Sequence, residues 1–366
     1  MIVAKFGGSS LADASCFRAV ETILRADPRR KGVVVSAPGR RFPGDRKLTD
    51  RLYDLWQLRG GAWQPLFTEL RARFDGIADE LGVAPDGQEG WDRLAASLAD
   101  GTATRDYVAS RGEYFCARLL AAYLQKPFLD SADWLRMNAD GSADLPRSYA
   151  ALRSLAGDGF VTSGFYGALA DGTIRTLPRG GSDVTGALAA AALQAELYEN
   201  WTDVPGILEA DPADFPEARP VRYLTYPELA ALGEVGVQVL HAGAIRPVQE
   251  AGVPLVVRST KQPDDPGTQI ASKLPDGVRR GRLLLLACRK EEAQGRITAI
   301  FAQEATRGAK PAELPALLER HGIPVREMHF SGFVLHLTVP EEHCHRAVRV
   351  LLQTARLPED ADPFGA

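Results

Sequence analysis

The alternation of strand-like runs with helical segments constrains the fold of this chain more than any other feature. The run of residues 32–37 (GVVVSA) is continuous and rich in β-branched residues, which is typical of a parallel strand covered on both faces. Strands that alternate with helices favour a doubly wound α/β fold with a mainly parallel sheet. The expected strands are residues 1–6, 32–37, 127–129, 160–165, 198–207 and 253–260.

Other patterns divide the chain further. Residues 49–124 are predicted to form a helical layer, and the segment ALADGTIRTL is predicted to form a hairpin with Asp171 and Gly172 at its turn. A stretch rich in Pro, Gly and charge follows at 261–282. Beyond it, the pattern β–α–β–β–α predicts a ferredoxin-like unit. The sequence therefore predicts a main domain over 1–272 and a small α+β domain over 283–357.

Composition excludes several classes of protein. Of the 366 residues, 45% are hydrophobic and 25% are charged, which is ordinary for a globular protein. The net charge is −4 and no long basic run occurs, which argues against a nucleic-acid-binding protein. No apolar run reaches the roughly 18 residues of a membrane span, and no secretion signal is recognised. The four cysteines lack CxxC spacing, so we expect a cytoplasmic protein without disulfide staples.

Lys5, Gly7 and Gly8 form the first of two glycine turns, each placed between a strand and a helix. Ligands of open α/β sheets bind at the carboxyl ends of the strands. Glycines let backbone N–H groups approach a phosphate, and the lysine supplies a positive charge to its oxygens. The turn therefore predicts phosphate binding, although an ordinary βα turn with a surface lysine has the same pattern. No GxxxxGK[ST] loop is present in the sequence.

The second glycine turn, RGGSD at residues 179–183, combines a guanidinium, a hydroxyl and a carboxylate. A guanidinium such as that of Arg179 can hold a carboxylate through two parallel hydrogen bonds. Asp183 has two interpretations, because a carboxylate near the start of a helix is either part of a site or a plain N-terminal cap.

Three more positions have a structural as well as a functional interpretation. Glu113 and the pair Thr49-Asp50 are each predicted at the beginning of a helix, where such residues cap the helix or complement its dipole. Asp203 follows a strand, where it either faces a nucleotide or ends the strand in a turn. His343 and His345 do not predict a metal site, because residues two apart on a helix do not face one point. No metal ligand is therefore predicted.

Seven motifs resemble those of the aspartate kinases and occur in the same order over roughly residues 1–272. They are KFGGSSLAD, VVVSAPGRR followed by LTD, SRGEYF, FVTSGFYGAL, LPRGGSDVTGALAAAAL, NWTDVPGI with ADP, and VGVQVLHAGAI. The resemblance implies the amino acid kinase fold, an open and mainly parallel sheet sandwiched by helices. It also implies ATP-dependent phosphorylation of the side-chain carboxylate of aspartate.

The resemblance assigns roles to individual residues. It makes Lys5 and Asp183 the catalytic charges. The residues that it places around the amino acid are Thr49, Glu113, Arg179 and Ser182. The residues that it places at the nucleotide are Lys5, Gly7, Gly8, Ser9, Thr202, Asp203, Leu208 and Gln238.

The implied chemistry depends on positioning more than on covalent catalysis. Phosphoryl transfer needs in-line alignment and neutralisation of the phosphate oxygens, which a lysine, glycine amides and Mg²⁺ supply. A side-chain carboxylate with a pKa of about 3.9 is already ionised at neutral pH, so no general base is required. ATP is the expected co-substrate, Mg²⁺ the expected cofactor and an acyl phosphate the expected product.

Three positions depart from the family pattern. Leu208 stands where a tyrosine is usual, Ala213 where an arginine is usual, and Gln238 where a lysine is usual. At about 1.5–3 kcal/mol per charge-assisted hydrogen bond, each lost cation should weaken nucleotide binding by one or two orders of magnitude unless another cation compensates. The candidates for compensation are Arg40, Arg41 and Arg46.

The C-terminal part also departs from the family. Aspartate kinases usually carry two ACT modules that bind the inhibiting amino acid, whereas the residues from Leu283 onward suffice for one. The resemblance then implies weak or absent feedback inhibition and a homodimer formed through the C-terminal domain. Two alternatives remain open: a kinase of a related amino or carboxylic acid, and a catalytically weak homologue that senses an amino acid or a nucleotide.

Overall fold

The computed structural model describes residues 1–84, 87–178, 180–234, 240, 242–275, 283–291, 294–302 and 313–355. They form two compact units. The first unit comprises Met1–Val204 and Leu240–Asp265, and the second comprises the described parts of Pro205–Val239 and Pro266–Ala366.

The strands are, in chain order, β1 (Ile2–Phe6), β2 (Arg30–Val35), β3 (Phe128–Leu129), β4 (Phe160–Ser163), β5 (Tyr166–Ala168), β6 (Ile174–Thr176), β7 (Leu197–Thr202), β8 (Tyr223–Thr225), β9 (Leu255–Ser259), β10 (Thr268–Ala271), β11 (Leu283–Glu291), β12 (Gln294–Phe301), β13 (Glu327–Ser331) and β14 (Val334–Pro340). The α-helices are α1 (Ala14–Ala26), α2 (Leu48–Gln57), α3 (Gln64–Leu81), α4 (Gln88–Ala99), α5 (Arg105–Leu124), α6 (Ser131–Trp134), α7 (Leu145–Leu155), α8 (Gly181–Ala192), α9 (Tyr226–Glu234), α10 (Ala242–Glu250), α11 (Glu313–Arg320) and α12 (Cys344–Ala355).

A parallel sheet forms the centre of the first unit, with its strands in the order β3–β4–β2–β1–β7–β9. The predicted parallel α/β fold is therefore confirmed. β1 and β2 are almost entirely buried, as expected for apolar strands with helices on both faces. The predicted hairpin is also confirmed, since β5 and β6 pair antiparallel and Gly172 has a left-handed φ of 84° at the turn.

The predicted helical layer consists of α2, α3, α4 and α5, and it shares one hydrophobic core with β1, β2 and α1. Trp91 and Phe115 stack with ring centroids 3.6 Å apart at the centre of this layer. α5 begins at Arg105, because Thr104 caps it by accepting a hydrogen bond from the Tyr107 N–H at 3.2 Å. Glu113 is consequently in the middle of a helix, and the expectation that it begins one is wrong.

The second unit contains a four-stranded antiparallel sheet in the order β11–β12–β14–β13. α11 and α12 follow the predicted pattern, and α12 packs on β11 and β12. β11 occupies the edge beside β12, where the last strand of a split βαβ unit would lie. α9 begins with a capping box, in which the Glu228 carboxylate accepts from the Thr225 N–H at 2.8 Å.

The division of the chain differs from the predicted limits of 272 and 283. The short strands β8 and β10, which the sequence patterns did not indicate, pair parallel to each other within the second unit. The Leu286 N–H donates to the Glu209 carbonyl at 2.7 Å, which ties the segment after Val204 to β11. Backbone pairing between distant segments therefore groups the described residues from Pro205 to Glu234 with the C-terminal part of the chain.

Cys288 on β11 and Cys344 at the start of α12 form a disulfide, with their Cα atoms 6.4 Å apart. This contradicts the expectation of a chain without disulfides. The two residues are separated by 56 positions, so their spacing in the sequence carried no sign of the pairing.

Among the residues that the structure describes, no helix is both long and apolar enough to cross a membrane.

Candidate active site

A buried charge pair lies at the carboxyl end of β1. The Lys5 ammonium is 2.5 Å from the Asp183 carboxylate, and the two side chains are 9% and 17% exposed. Lys5 also donates to the Asn200 side-chain oxygen at 3.2 Å, and the Asn200 amide donates to the Asp183 carboxylate at 3.2 Å. Lys5 of the first glycine turn and Asp183 of the second are thus in direct contact.

The neighbouring strand and helix explain this arrangement. β1 and β7 pair in parallel with Lys5 opposite Asn200, so both side chains leave the sheet at the same level. α8 begins after Gly180, whose φ of 77° favours glycine, and Asp183 lies in its first turn. The N-terminus of α8 has no side-chain cap, so the capping interpretation of Asp183 is wrong. The carboxylate faces Lys5 instead.

α8 approaches the sheet closely because its surface is made of small residues. A Cβ atom on Gly186 would lie 2.5 Å from the Tyr198 hydroxyl oxygen. The same hydroxyl donates to the Asp183 carbonyl at 3.0 Å, which fixes the first turn of the helix over β7. Asn200 and Tyr198 were not among the predicted site residues. The motif NWTD and the alternation of side chains along β7 were the signals that could have indicated Asn200.

The first glycine turn is held by hydrogen bonds on two sides. The Gly7 N–H donates to the Trp201 carbonyl at 3.0 Å, and the Ser10 hydroxyl is 3.0 Å from that of Thr260. On the other side, the Gly39 N–H donates to the Gly8 carbonyl at 2.7 Å. The turn is consequently fixed between the end of β7 and the loop that follows β2.

The contact between Gly8 and Gly39 leaves no room for a side chain. A Cβ atom on Gly39 would lie 2.5 Å from the Gly8 carbonyl carbon and 2.7 Å from the Ser9 nitrogen. We expect Gly39→Ala to lower the free energy of unfolding by about 1–3 kcal/mol through overpacking. Gly44→Ala in the same loop is the control, because its Cβ would meet only the Phe42 ring at 3.8 Å. Urea unfolding followed by tryptophan fluorescence compares the two, and equal midpoints would contradict the expectation.

Glu113 is a fully buried carboxylate beside the end of β2. It accepts a hydrogen bond from the Ala37 N–H, while its Oε2 has no hydrogen-bond partner among the residues that the structure describes. Burial raises its pKa to about 8, because desolvation outweighs that hydrogen bond and the nearby Arg111 charge. A buried carboxylate with an unsatisfied oxygen is well suited to receive a cationic group from a ligand.

The end of β4 provides another wall of the same region. Ser182 is buried against Gly164, where a Cβ atom would lie 2.6 Å from the Ser182 hydroxyl. Phe165 follows with a φ of 77°, which is unusual for an aromatic residue and marks a constrained backbone. Its N–H donates to the Thr185 hydroxyl at 3.0 Å, so α8 holds the constrained turn in place.

The remaining predicted residues fall into three groups. Thr202 and Asp203 follow Asn200 at the carboxyl end of β7, and the Thr202 hydroxyl donates to the Asp203 carboxylate at 3.2 Å. Thr49 lies in the first turn of α2, which packs against α5 and so lies on the same side of the unit as Glu113. Leu208 belongs to the second unit, where it forms a bridge with Pro220.

Arg179 and Gln238 lie outside the described residues. The roles predicted for both therefore stay predictions.

The arginines of the loop after β2 are engaged to different degrees. Arg41 holds the Asp45 carboxylate through its Nε at 2.9 Å, and Arg46 is 2.7 Å from Asp54. Arg41 and Arg46 are therefore less available to replace the positive charges that the family usually has at the positions of Ala213 and Gln238.

No group of three or more His, Cys, Asp or Glu side chains suited to a metal ion occurs within the described ranges. Mg²⁺ often binds through one or two carboxylates together with substrate phosphates. A single carboxylate such as that of Asp183 fits this mode of binding.

Comparison with known proteins agrees with this architecture. Residues 1–259 match the sequence profile of the amino acid kinase family. The chain is 36% identical to aspartokinase 3 of Bacillus subtilis over 290 residues, and 32% identical to the chloroplastic aspartokinase 2 of Arabidopsis thaliana over 303 residues. These alignments cover 75% and 73% of this chain but only 64% and 54% of the relatives.

Solved structures show the same fold. The aspartate kinase of Clostridium acetobutylicum superimposes with a TM-score of 0.88 at 26% identity, covering 97% of this chain and all of that chain. Aspartokinase III of Escherichia coli, solved with aspartate and ADP, superimposes with a TM-score of 0.77 at 21% identity, covering 96% and 99% of the two chains. With a profile match over most of its length and this parallel sheet, the chain belongs to the amino acid kinase family.

Proposed function

We propose that the protein is an aspartate kinase, which transfers the γ-phosphoryl group of ATP to the side-chain carboxylate of L-aspartate. The observation that carries the proposal is the buried Lys5–Asp183–Asn200 cluster, with the glycine turn on one side and Glu113 on the same unit. The similarity to aspartokinases supports the choice of substrate.

The reaction is an in-line displacement on phosphorus. An aspartate carboxylate oxygen attacks the γ-phosphorus, the bond to the β-γ bridging oxygen breaks, and ADP leaves with that oxygen and its electron pair. Lys5 would neutralise the transferring phosphate, while Gly7, Gly8 and Ser9 would line the phosphates with little side-chain bulk. Asp183 and Asn200 orient the ammonium. The Asp183 carboxylate together with the phosphates would hold Mg²⁺, which would supply further positive charge.

The amino acid is proposed to bind between the ends of β2 and β4. Its α-ammonium would pair with Glu113, whose buried Oε2 has no hydrogen-bond partner within the described part of the chain. Arg179 and Ser182 of the second glycine turn would hold a carboxylate, and Thr49 would contact the substrate from α2. On the nucleotide side, we assign Thr202, Asp203, Leu208 and Gln238, as the family resemblance implies.

Trapping of the acyl phosphate tests the proposed reaction. The protein is incubated with ATP, Mg²⁺ and hydroxylamine, and hydroxamate is measured with aspartate, glutamate and other carboxylic acids. We expect a signal with aspartate that is lost in Lys5→Ala and Asp183→Ala. A signal only with another acid would reassign the substrate. Protein that binds ADP yet gives no hydroxamate with any acid would contradict catalysis and favour a nucleotide or amino acid sensor.

We also propose that a second copy of the chain pairs through β13. All five residues of this edge strand are exposed, and Met328 and Phe330 are 48% and 38% exposed although both are large and apolar. An exposed edge strand with apolar side chains is a ready site for strand pairing. Met328→Lys should therefore shift the protein from dimer to monomer in light scattering, whereas Lys290→Met on β11 should not. An unchanged mass for both variants would contradict this interface.

We also propose that feedback inhibition by an end-product amino acid is weak or absent. Lysine and threonine at millimolar concentration should leave the kinase rate within about twofold, and inhibition by either at micromolar concentration would overturn this proposal.

A further inference from the structure

The side chain of Arg73 crosses from the helical layer to the glycine turn. Arg73 lies on α3, and its side chain is 9% exposed. Its Nη2 donates to the Ala12 carbonyl at 3.1 Å and also to the Gly39 carbonyl. One guanidinium nitrogen thus joins the backbone that follows the glycine turn to the loop that follows β2.

The two carbonyls belong to segments that are in direct contact at the turn. Gly39 donates its N–H to Gly8 and offers its carbonyl to Arg73, so a single residue is held from both sides. The Asp45 carboxylate lies 4.0 Å from Arg73 and closes the same loop. It accepts hydrogen bonds from the main-chain nitrogen and the side-chain Nε of Arg41. The cation of Arg73 is therefore placed where two loop backbones and a carboxylate converge.

We propose that Arg73 is a positioning residue of the nucleotide-phosphate site, because it sets the distance between the glycine turn and the loop that closes it. A lysine would carry the same charge, but its single nitrogen cannot occupy both the position of Nη2 between the two carbonyls and that of Nη1, 4.0 Å from the Asp45 carboxylate. Loss of the guanidinium would let the loop separate from Gly8. The glycine turn that is proposed to line the phosphates would then be held less firmly in position. This inference rests on the proposed function only in the choice of the nucleotide as ligand.

The test measures nucleotide affinity separately from turnover. Binding of Mg²⁺-ADP is followed by titration calorimetry in the wild-type chain, Arg73→Lys, Arg73→Gln and the control Arg71→Gln. Arg71 lies two residues away on the same helix, but it contacts Gln88 and Asp75 at the surface. We expect the Kd of ADP to rise about tenfold in Arg73→Lys and further in Arg73→Gln, by analogy with the loss of one or two charge-assisted hydrogen bonds. Arg71→Gln should stay within about twofold.

Kinetics then distinguish positioning from a general loss of structure. In Arg73→Lys the KM for ATP should rise while the KM for aspartate stays within about threefold. A further variant, Arg73→Ala, tests chemical rescue. Millimolar guanidinium chloride should restore ADP binding to this variant, whereas the same concentration of sodium chloride should not. Unchanged ADP affinity, or an equal rise of both KM values with no rescue, would overturn the proposal. If Arg73→Gln does not fold, Arg73→Lys alone decides. A wild-type protein that binds ADP without turnover would contradict the kinase assignment while leaving this test intact.

Discussion

Lys5→Met is expected to lower kcat by about 10²–10³-fold, the range seen when one charge-stabilising donor is removed from an active site. The ammonium lies 9% exposed at the end of β1, where a low local dielectric strengthens its interaction with phosphate oxygens. Its loss also removes the ammonium that pairs with the Asp183 carboxylate. The initial rate of ADP release, coupled to NADH oxidation, measures the effect.

A control and a double variant make this prediction specific. Lys31→Met removes a lysine that is 38% exposed and paired with Asp158, so its kcat should stay within about twofold. The double variant Lys5→Met/Asp183→Asn should have about the same kcat as Lys5→Met alone, because the effects of groups that act as a unit are not additive. Multiplicative losses in the double variant would show that the two residues act independently.

Glu113 should make aspartate binding depend on pH. Below its pKa of about 8 the buried carboxyl carries a proton and cannot pair ionically with an ammonium. The kcat/KM for aspartate should therefore rise about tenfold per pH unit up to about pH 8 and level off above it. In Glu113→Gln the profile should be flat over pH 6–9 and lower at its plateau, since the amide has no charge at any pH.

The same residue should affect stability in the opposite sense. Its folded pKa of about 8 exceeds the value of 4.5 for a free glutamate, so between these values the folded protein holds a proton that the unfolded chain has lost. Stability is therefore lost as the pH rises, at up to about 1.4 kcal/mol per unit. Glu113→Gln should have a higher unfolding midpoint than the wild type at pH 8 and a smaller difference at pH 5.5. Equal differences at both pH values would mean that the carboxyl is not desolvated in the apo protein.

Local patterns predicted most of the first unit because most of the expected strands are short apolar runs. Lys5 and Asp183 were candidates from the sequence because each lies in a glycine turn between a strand and a helix. Their contact depends on β1 lying beside α8 and β7, which is a property of the whole sheet. Asn200 was missed for that reason: its role follows from its register opposite Lys5, and register is set by long-range pairing.

Other features depended on tertiary contacts that no local pattern carries. Glu113 was expected at a helix start, but the Thr104 cap begins the helix at Arg105, and packing buries the carboxylate in its middle. The short strands β8 and β10 have three and four residues, too few for a periodic signal. Likewise, the disulfide between Cys288 and Cys344 and the reach of Arg73 to two loops follow only from how distant segments meet.

Isotopic labelling of aspartate follows the proposed transfer atom by atom. Aspartate carrying ¹⁸O in its side-chain carboxylate is incubated with the protein, ATP, Mg²⁺ and hydroxylamine, and the released phosphate is analysed by mass spectrometry. Hydroxylamine attacks the acyl carbon and expels phosphate with the bridging oxygen, so each phosphate should carry one ¹⁸O. The same label in the α-carboxylate should give none. Unlabelled phosphate from the side-chain-labelled substrate would show that water or another group, and not the aspartate side chain, accepts the phosphoryl group.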